Sequence, residues 1–167
     1  VMSVMQGFRT KLLGQLLGVN GHMFVQSSEP IADYEAVIER LIAIPGVRSA
    51  TPLIQARVYA TGQGETGMII RGMAPDEVRA LEQIAGVDPE TGRRHVVGGS
   101  FDSFGVGEKG GDEIAIGNRL AWELGVAVGD PVRLISGRGA DTPFGPTLRQ
   151  KSYRVGAIFE VGNSEYD

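Results

Sequence analysis

Glu113-Ile114-Ala115-Ile116-Gly117-Asn118-Arg119-Leu120-Ala121-Trp122-Glu123-Leu124-Gly125, continuing through Val128-Gly129-Asp130 to Pro131-Val132-Arg133-Leu134-Ile135, is the stretch whose reading decides the fold. Residues 113–116 read as a strand. Residues 118–124 follow as a short helix with Leu120, Ala121 and Leu124 on the inward face, and Gly125 caps its end. Gly129-Asp130 is a turn into a second strand at 131–135. A polar loop at 136–148 then leads to a last strand at 151–161.

Working back from that stretch, residues 86–111 are glycine-rich and poorly periodic, which predicts loop with one or two short strands around Val96-Val97. Pro75 suits the first turn of a helix at 75–85, with Gly86 as the stop. Residues 47–60 alternate, with Ile54, Ala56, Val58 and Ala60 on one face and Gln55, Arg57, Tyr59 and Thr61 on the other. Gly62-Gln63-Gly64 turns this strand into a partner at 66–72. Residues 32–44 read as a helix whose apolar stripe is Val37, Ile38, Leu41 and Ile42, ended by Pro45-Gly46. A strand is expected at 22–27, after the Asn20-Gly21 turn. This is a β-α-β-β unit, about half of a split βαβ sandwich. The first 18 residues carry apolar side chains at helical spacing (Val1, Val4, Met5, Phe8, Leu12, Leu16). They fit either the amphipathic first helix of a soluble domain or the aqueous end of a transmembrane helix. No tandem repeat is present. The expected class is α+β.

Composition narrows the function. With 167 residues, 42% hydrophobic and 22% charged, the chain is in the globular range, as one ordinary domain or two small ones. A formal net charge of -4 argues against a nucleic-acid binder. No apolar run approaches the roughly 20 residues of a membrane span. Cysteine is absent, which removes disulfides, thiolate metal sites and cysteine nucleophiles, and the histidines, His22 and His95, form no zinc-binding pair. The chain starts at Val1 with no signal peptide, so a periplasmic location would require a preceding transmembrane helix in a parent protein.

Motifs for catalysis are weak. Gly105-Val106-Gly107-Glu108-Lys109-Gly110 spells G-x-G-x-x-G, but Ser103-Phe104 before it and Gly111-Asp112 after it give no strand-to-helix context for a pyrophosphate. Gly98-Gly99-Ser100 fails G-x-S-x-G because Asp102 stands in the last glycine position. Glu35, Glu39 and Arg40 are a solvated helix face. Asp88, Glu90, Asp112 and Glu113 lack the alternating spacing of a calcium loop. No cofactor, metal or catalytic residue is expected. Trp122 falls on the polar side of its helix, where it either packs on a neighbouring loop or contacts a partner.

The loop at 136–148 is the best candidate site. It exceeds the two to five residues of a plain hairpin, and long ordered loops are often functional. Gly137, Gly139 and Gly145 allow bends, Pro143 and Pro146 reduce the entropy lost on docking, and Phe144 is a candidate apolar tip. Arg133, Arg149 and Lys151 put positive charge near the base. The alternative is that Phe144 folds back onto the core.

Three stretches resemble the periplasmic domains of LolC/LolE-type permeases of the lipoprotein-releasing ABC transporter. Val1-Met2-Ser3-Val4-Met5-Gln6-Gly7-Phe8 is similar to the exit of that family's first transmembrane helix. The 113–130 pattern is shared with MacB-like permeases, whose periplasmic domains join a porter-like and a Sabre-like part. Thr142-Pro143-Phe144-Gly145, Gln150-Lys151 and 155–167 resemble the LolC hook loop and the strand after it, although Leu148 stands where proline is often found.

The resemblance implies a helix at 1–18 continuing from a transmembrane helix, a porter-like part at 19–73 and a Sabre-like part at 74–167 with a hook at 136–148. It also implies that the rest of the periplasmic domain lies beyond residue 167, leaving an unpaired strand edge. The implied function is non-catalytic docking of the periplasmic carrier LolA, alongside a second permease subunit, a separate ATPase and a lipoprotein substrate, at the inner membrane. Thr142, Pro143, Phe144 and Gly145 would lie on the hook, and Arg133, Gln150 and Lys151 on a pad beneath it; Pro146 and Arg149 join the partner-binding residues from the make-up of the loop itself. A MacB-like domain that transmits ATP-driven motion is the alternative.

Overall fold

The structure, a computed structural model, describes residues 23–27, 31–88, 91–106, 111–137, 141–142 and 145–161. Its contacts divide the chain into two units, Val1–Ile54 and Gln55–Asp167. The expected helix at 1–18 lies outside the described residues.

In the first unit, helix α1 is Tyr34–Ile42. Glu35 in its first turn and Arg40 in its last complement the helix dipole. At its end the Ala43 N–H donates to the Glu39 carbonyl and the Ile44 N–H to that of Leu41, and Gly46, at φ 95°, turns the chain away. No α1 residue is buried, and Ile42 is exposed. The strand expected at 22–27 is absent from 23–27, where Met23, Phe24 and Val25 are exposed, while His22 lies outside the described residues. An extended run needs a neighbour for its amides, and β1, the next strand in sequence, takes its partners elsewhere.

The second unit is built on one six-stranded sheet. Its strands are β1 (Ile54–Thr61), β2 (Glu65–Gly72), β3 (Val96–Gly99), β4 (Glu113–Gly117), β5 (Pro131–Ser136) and, after a separate small pair, β8 (Arg149–Phe159). The order is β2-β1-β5-β8-β3, with β4 added to β8. The β1–β2 hairpin therefore joins β5, through Tyr59↔Ile135, Ala60↔Leu134 and Thr61↔Arg133. Residues 55–72, grouped with the first part of the chain by sequence, share their sheet with the later residues.

Strand β8 organises the unit. Its first half pairs antiparallel with β5, from Ser136↔Arg149 to Pro131↔Arg154. Its second half pairs antiparallel with β3 and parallel with β4, both reaching residues 157–159, so these two strands lie on opposite edges. The β4 register shifts between Ile114 and Ala115, where Gly156 is the extra residue on β8.

The predicted helix at 118–124 is present as Asn118–Leu124, here α4, following α2 (Pro75–Ala80) and α3 (Glu82–Ala85). Its inward Ala121 and Leu124 join Ile114, Ile116, Ala60, Val132, Leu134 and Val155 in the core. Leu124, Val132 and Val155 are fully enclosed, each worth about 1.5–3 kcal/mol in apolar burial. Gly125 caps α4 at φ 64°, as expected. In the turn that follows, the Asp130 carboxylate accepts the Ala127 N–H at 2.8 Å.

The β1–β2 turn closes against the end of α4. The N–H groups of Gln63 and Gly64 both donate to the Leu124 carbonyl, at 2.8 and 3.0 Å. A Cβ on Gly64 would overlap the Glu123 carbonyl oxygen, and one on Gly62 would sit 2.8 Å from that of Leu124. Both glycines are needed for close approach.

The single helix expected at 75–85 is two, because Leu81 leaves helical geometry at ψ 93°. Tertiary bonds hold the first piece. Arg79 donates to the carbonyls of Phe101 and Phe104, at 3.3 and 2.7 Å, and pairs with Asp76. Among the described residues no helix is long and apolar enough to cross a membrane.

Candidate docking site

The β5–β8 hairpin carries the predicted site residues. Between its strands the chain forms a second, two-stranded sheet: β6 (Asp141–Thr142) pairs antiparallel with β7 (Gly145–Pro146), in the register Asp141↔Pro146 and Thr142↔Gly145. The segment read as a loop thus contains a narrow ribbon separate from the main sheet. Pro143 and Phe144, which link its strands, lie outside the described residues, so the expected apolar tip has no described position.

Register sorts the flanking residues onto two faces, since opposed residues in an antiparallel pair share a face. Arg133 lies opposite Ser152 and Ile135 opposite Gln150, all on the outer face. Leu134 lies opposite Lys151 and Ser136 opposite Arg149, on the face that continues the core from Val132 and Tyr153. Arg133, Arg149, Gln150 and Lys151 are all exposed. The hairpin brings the four to one end of the sheet, Arg133 with Gln150 on one face and Arg149 with Lys151 on the other.

Lys151 is held by its neighbours. Its Nζ lies 2.8 Å from the Asp112 carboxylate and 4.7 Å from the centre of the Tyr153 ring. The hydrogen bond to Asp112 raises its pKa above the ordinary 10.5, so it is a fixed cation at neutral pH. Arg133 and Arg149 have no side-chain hydrogen bond or ion pair among the described residues.

Around this site, the G-x-G-x-x-G stretch is followed by β4 rather than a helix, and residues 107–110 lie outside the described residues. Among the described residues no three His, Asp or Glu side chains are grouped to hold a metal. Trp122 is 81% exposed, so among the described residues it is not packed on a neighbouring loop, the first of the two readings from sequence.

Over residues 1–166 the sequence matches the MacB-like periplasmic core domain family. The chain belongs to that family. Within it, the α+β class expected from sequence holds: a curled, largely antiparallel sheet with few helices. Among relatives of this MacB-like chain are lipoprotein-releasing system transmembrane proteins LolC. That of Xylella fastidiosa strain 9a5c is 31% identical over 170 residues, covering 99% of the chain and 38% of the relative. That of Neisseria meningitidis serogroup B is 28% identical over 171 residues, covering 100% and 38%. That of Haemophilus influenzae is 30% identical over 164 residues, covering 95% and 37%. The chain therefore spans well under half the length of the relatives it matches.

Two residues of this MacB-like site escaped the sequence reading. Tyr153 shares a strand face with Lys151, and strict alternation along β8 signals that. Asp112 belongs to the segment leading into β4, and only the parallel β4–β8 pairing brings it to Lys151.

Proposed function

We propose that the chain is the periplasmic domain of a LolC-type permease of a lipoprotein-releasing ABC transporter, and that it docks the carrier LolA through the β6–β7 ribbon. Similarity to LolC proteins along nearly the whole chain carries this reading, and the separate ribbon on a rigid hairpin is the structural feature that suits it. Thr142, Pro143, Phe144, Gly145 and Pro146 supply the inserted contact. Arg133, Arg149, Gln150 and Lys151 flank its root, where cations meet an acidic rim on the carrier.

The domain is a binding module. In the parent complex a second permease subunit and a separate ATPase act with it, and the cargo is a lipoprotein leaving the inner membrane. The family match also suits a second reading, a MacB-like domain that transmits motion to other periplasmic partners.

Calorimetry with purified LolA from the same organism tests the docking. Phe144→Ala weakens binding by about 1–3 kcal/mol, the range of an aromatic anchor, and leaves the melting temperature unchanged. A marked fall in melting temperature with binding intact identifies Phe144 as a core residue and removes the docking reading.

A further inference from the structure

The outer face of the sheet continues from the ribbon root onto β1, where no role has yet been assigned. Tyr59, Ile135 and Gln150 form one transverse row, given by the pairs Tyr59↔Ile135 and Ile135↔Gln150. The adjacent row holds Arg133, opposite Thr61 on β1. Continuing the β1–β5 register places Arg57 on the other side of the Tyr59 row, level with Gly137 where the chain leaves for the ribbon. Arg57 and Arg133 thus bracket an aromatic and aliphatic row, roughly 13 Å apart along the strand direction.

The polar and aromatic members of this face are accessible, and Ile135 is half-buried. Arg57, Arg133 and Gln150 are exposed, and Tyr59 is 44% exposed. Neither arginine has an ion pair or side-chain hydrogen bond among the described residues. No outward position of β1, β5 or the first half of β8 is acidic, although the whole chain is acidic at -4. The cationic area ends at Arg154, which faces Glu113 on β4. Tyrosine and arginine around an apolar centre are the composition of a protein interface core. A membrane-inserting face presents Trp, Phe or Leu beside its basic residues, and the outward positions of β1, β5 and the first half of β8 hold none of these.

We infer that Arg57 and Tyr59 extend the docking surface beyond the ribbon root, receiving a carboxylate-bearing surface of the partner protein. The inference rests on the docking role proposed above and adds the chemistry of the partner: carboxylates spaced to meet Arg57 and Arg133, around an apolar patch for Tyr59 and Ile135.

The test uses the 167-residue chain with a photo-crosslinking phenylalanine analogue at position 59 or, separately, at 144, irradiated with purified carrier. In parallel, carrier affinity is measured for Arg57→Ala and for Arg119→Ala, which removes the same charge on α4, off this face. Adducts at both positions, with affinity lowered about tenfold by Arg57→Ala and unchanged by Arg119→Ala, support the inference. The affinity of Arg57→Ala should also depend less on salt. An adduct at 144 alone, with Arg57→Ala neutral, overturns the inference and keeps the ribbon as the docking element. An adduct at 59 alone keeps the inference and removes the ribbon's role. With no adduct at either position both fail. Co-sedimentation with phosphatidylglycerol vesicles that Arg57→Ala abolishes, without a carrier adduct at 59, reassigns the face to the membrane and overturns the inference. Should Arg57→Ala lower the melting temperature, the adduct at 59 decides alone.

Discussion

Gly64→Ala tests how the β1–β2 turn is joined to α4. The added methyl would collide with the Glu123 carbonyl oxygen, a backbone atom that cannot rotate aside. The turn must lift, and the two amide bonds from Gln63 and Gly64 to the Leu124 carbonyl lengthen or break. Each is worth about 1 kcal/mol net. Displacement also loosens Leu124, which is completely buried, adding about 1–2 kcal/mol of disturbed packing. The sum is about 3–4 kcal/mol, or on the order of 6–16 °C in melting temperature for a chain of this size. Urea unfolding followed by circular dichroism measures it. Gly67→Ala is the internal control: it lies in β2, its Cβ would meet nothing within 4 Å, and alanine there should be neutral or slightly stabilising. If Gly64→Ala costs no more than Gly67→Ala, the turn is not pressed against the helix and the reasoning fails.

Other expectations follow from single contacts. Leu124→Ala empties a fully enclosed site and should cost about 2–5 kcal/mol in chemical unfolding. Arg79→Ala frees the Phe101 and Phe104 carbonyls, so hydrogen exchange at the Phe104 and Val106 amides should accelerate while β5 amides keep their protection. The Lys151 pKa is raised in the folded state, so the pair's contribution is fully present below the ordinary 10.5 and lost as pH rises through the folded value. In an NMR titration Asp112→Asn should return Lys151 toward ordinary behaviour, and an unchanged titration curve would count against the pairing. Trp122 is the only tryptophan and is 81% exposed, so acrylamide should quench the emission nearly as well as that of a free indole.

The parts of the fold visible in the sequence are those set by local rules. The 113–135 stretch was legible because apolar period, glycine stop and Gly-Asp turn all agree, and Asn118–Leu124 is found as read. Alternation in β1 put Ile54, Ala56, Val58 and Ala60 on one face; Val58 and Ala60 do pack with the core, but Ile54 and Ala56 are exposed, because alternation says nothing about where a strand outruns its sheet. Pairing across distance was not legible. Tyr59 meets Ile135, and Lys151 meets Asp112, through a topology that no local pattern announces. The break at Leu81 has the same origin, since Arg79 is held by carbonyls from a loop further along the chain. At the candidate site, the cations around the ribbon could be named from sequence, but their division between two faces needed the register.

Strand β8 has a mechanical consequence. Its first half leads to the ribbon, and its second half is gripped on opposite edges by β3 and β4. Traction along the strand axis would load those flanking hydrogen bonds together in shear, so several must yield at once. Traction across the axis would open the β5–β8 register one pair at a time, starting at Ser136↔Arg149. The domain should therefore be stiff to a pull along the hairpin and compliant to one across it, a difference that force spectroscopy with handles in the two directions can read.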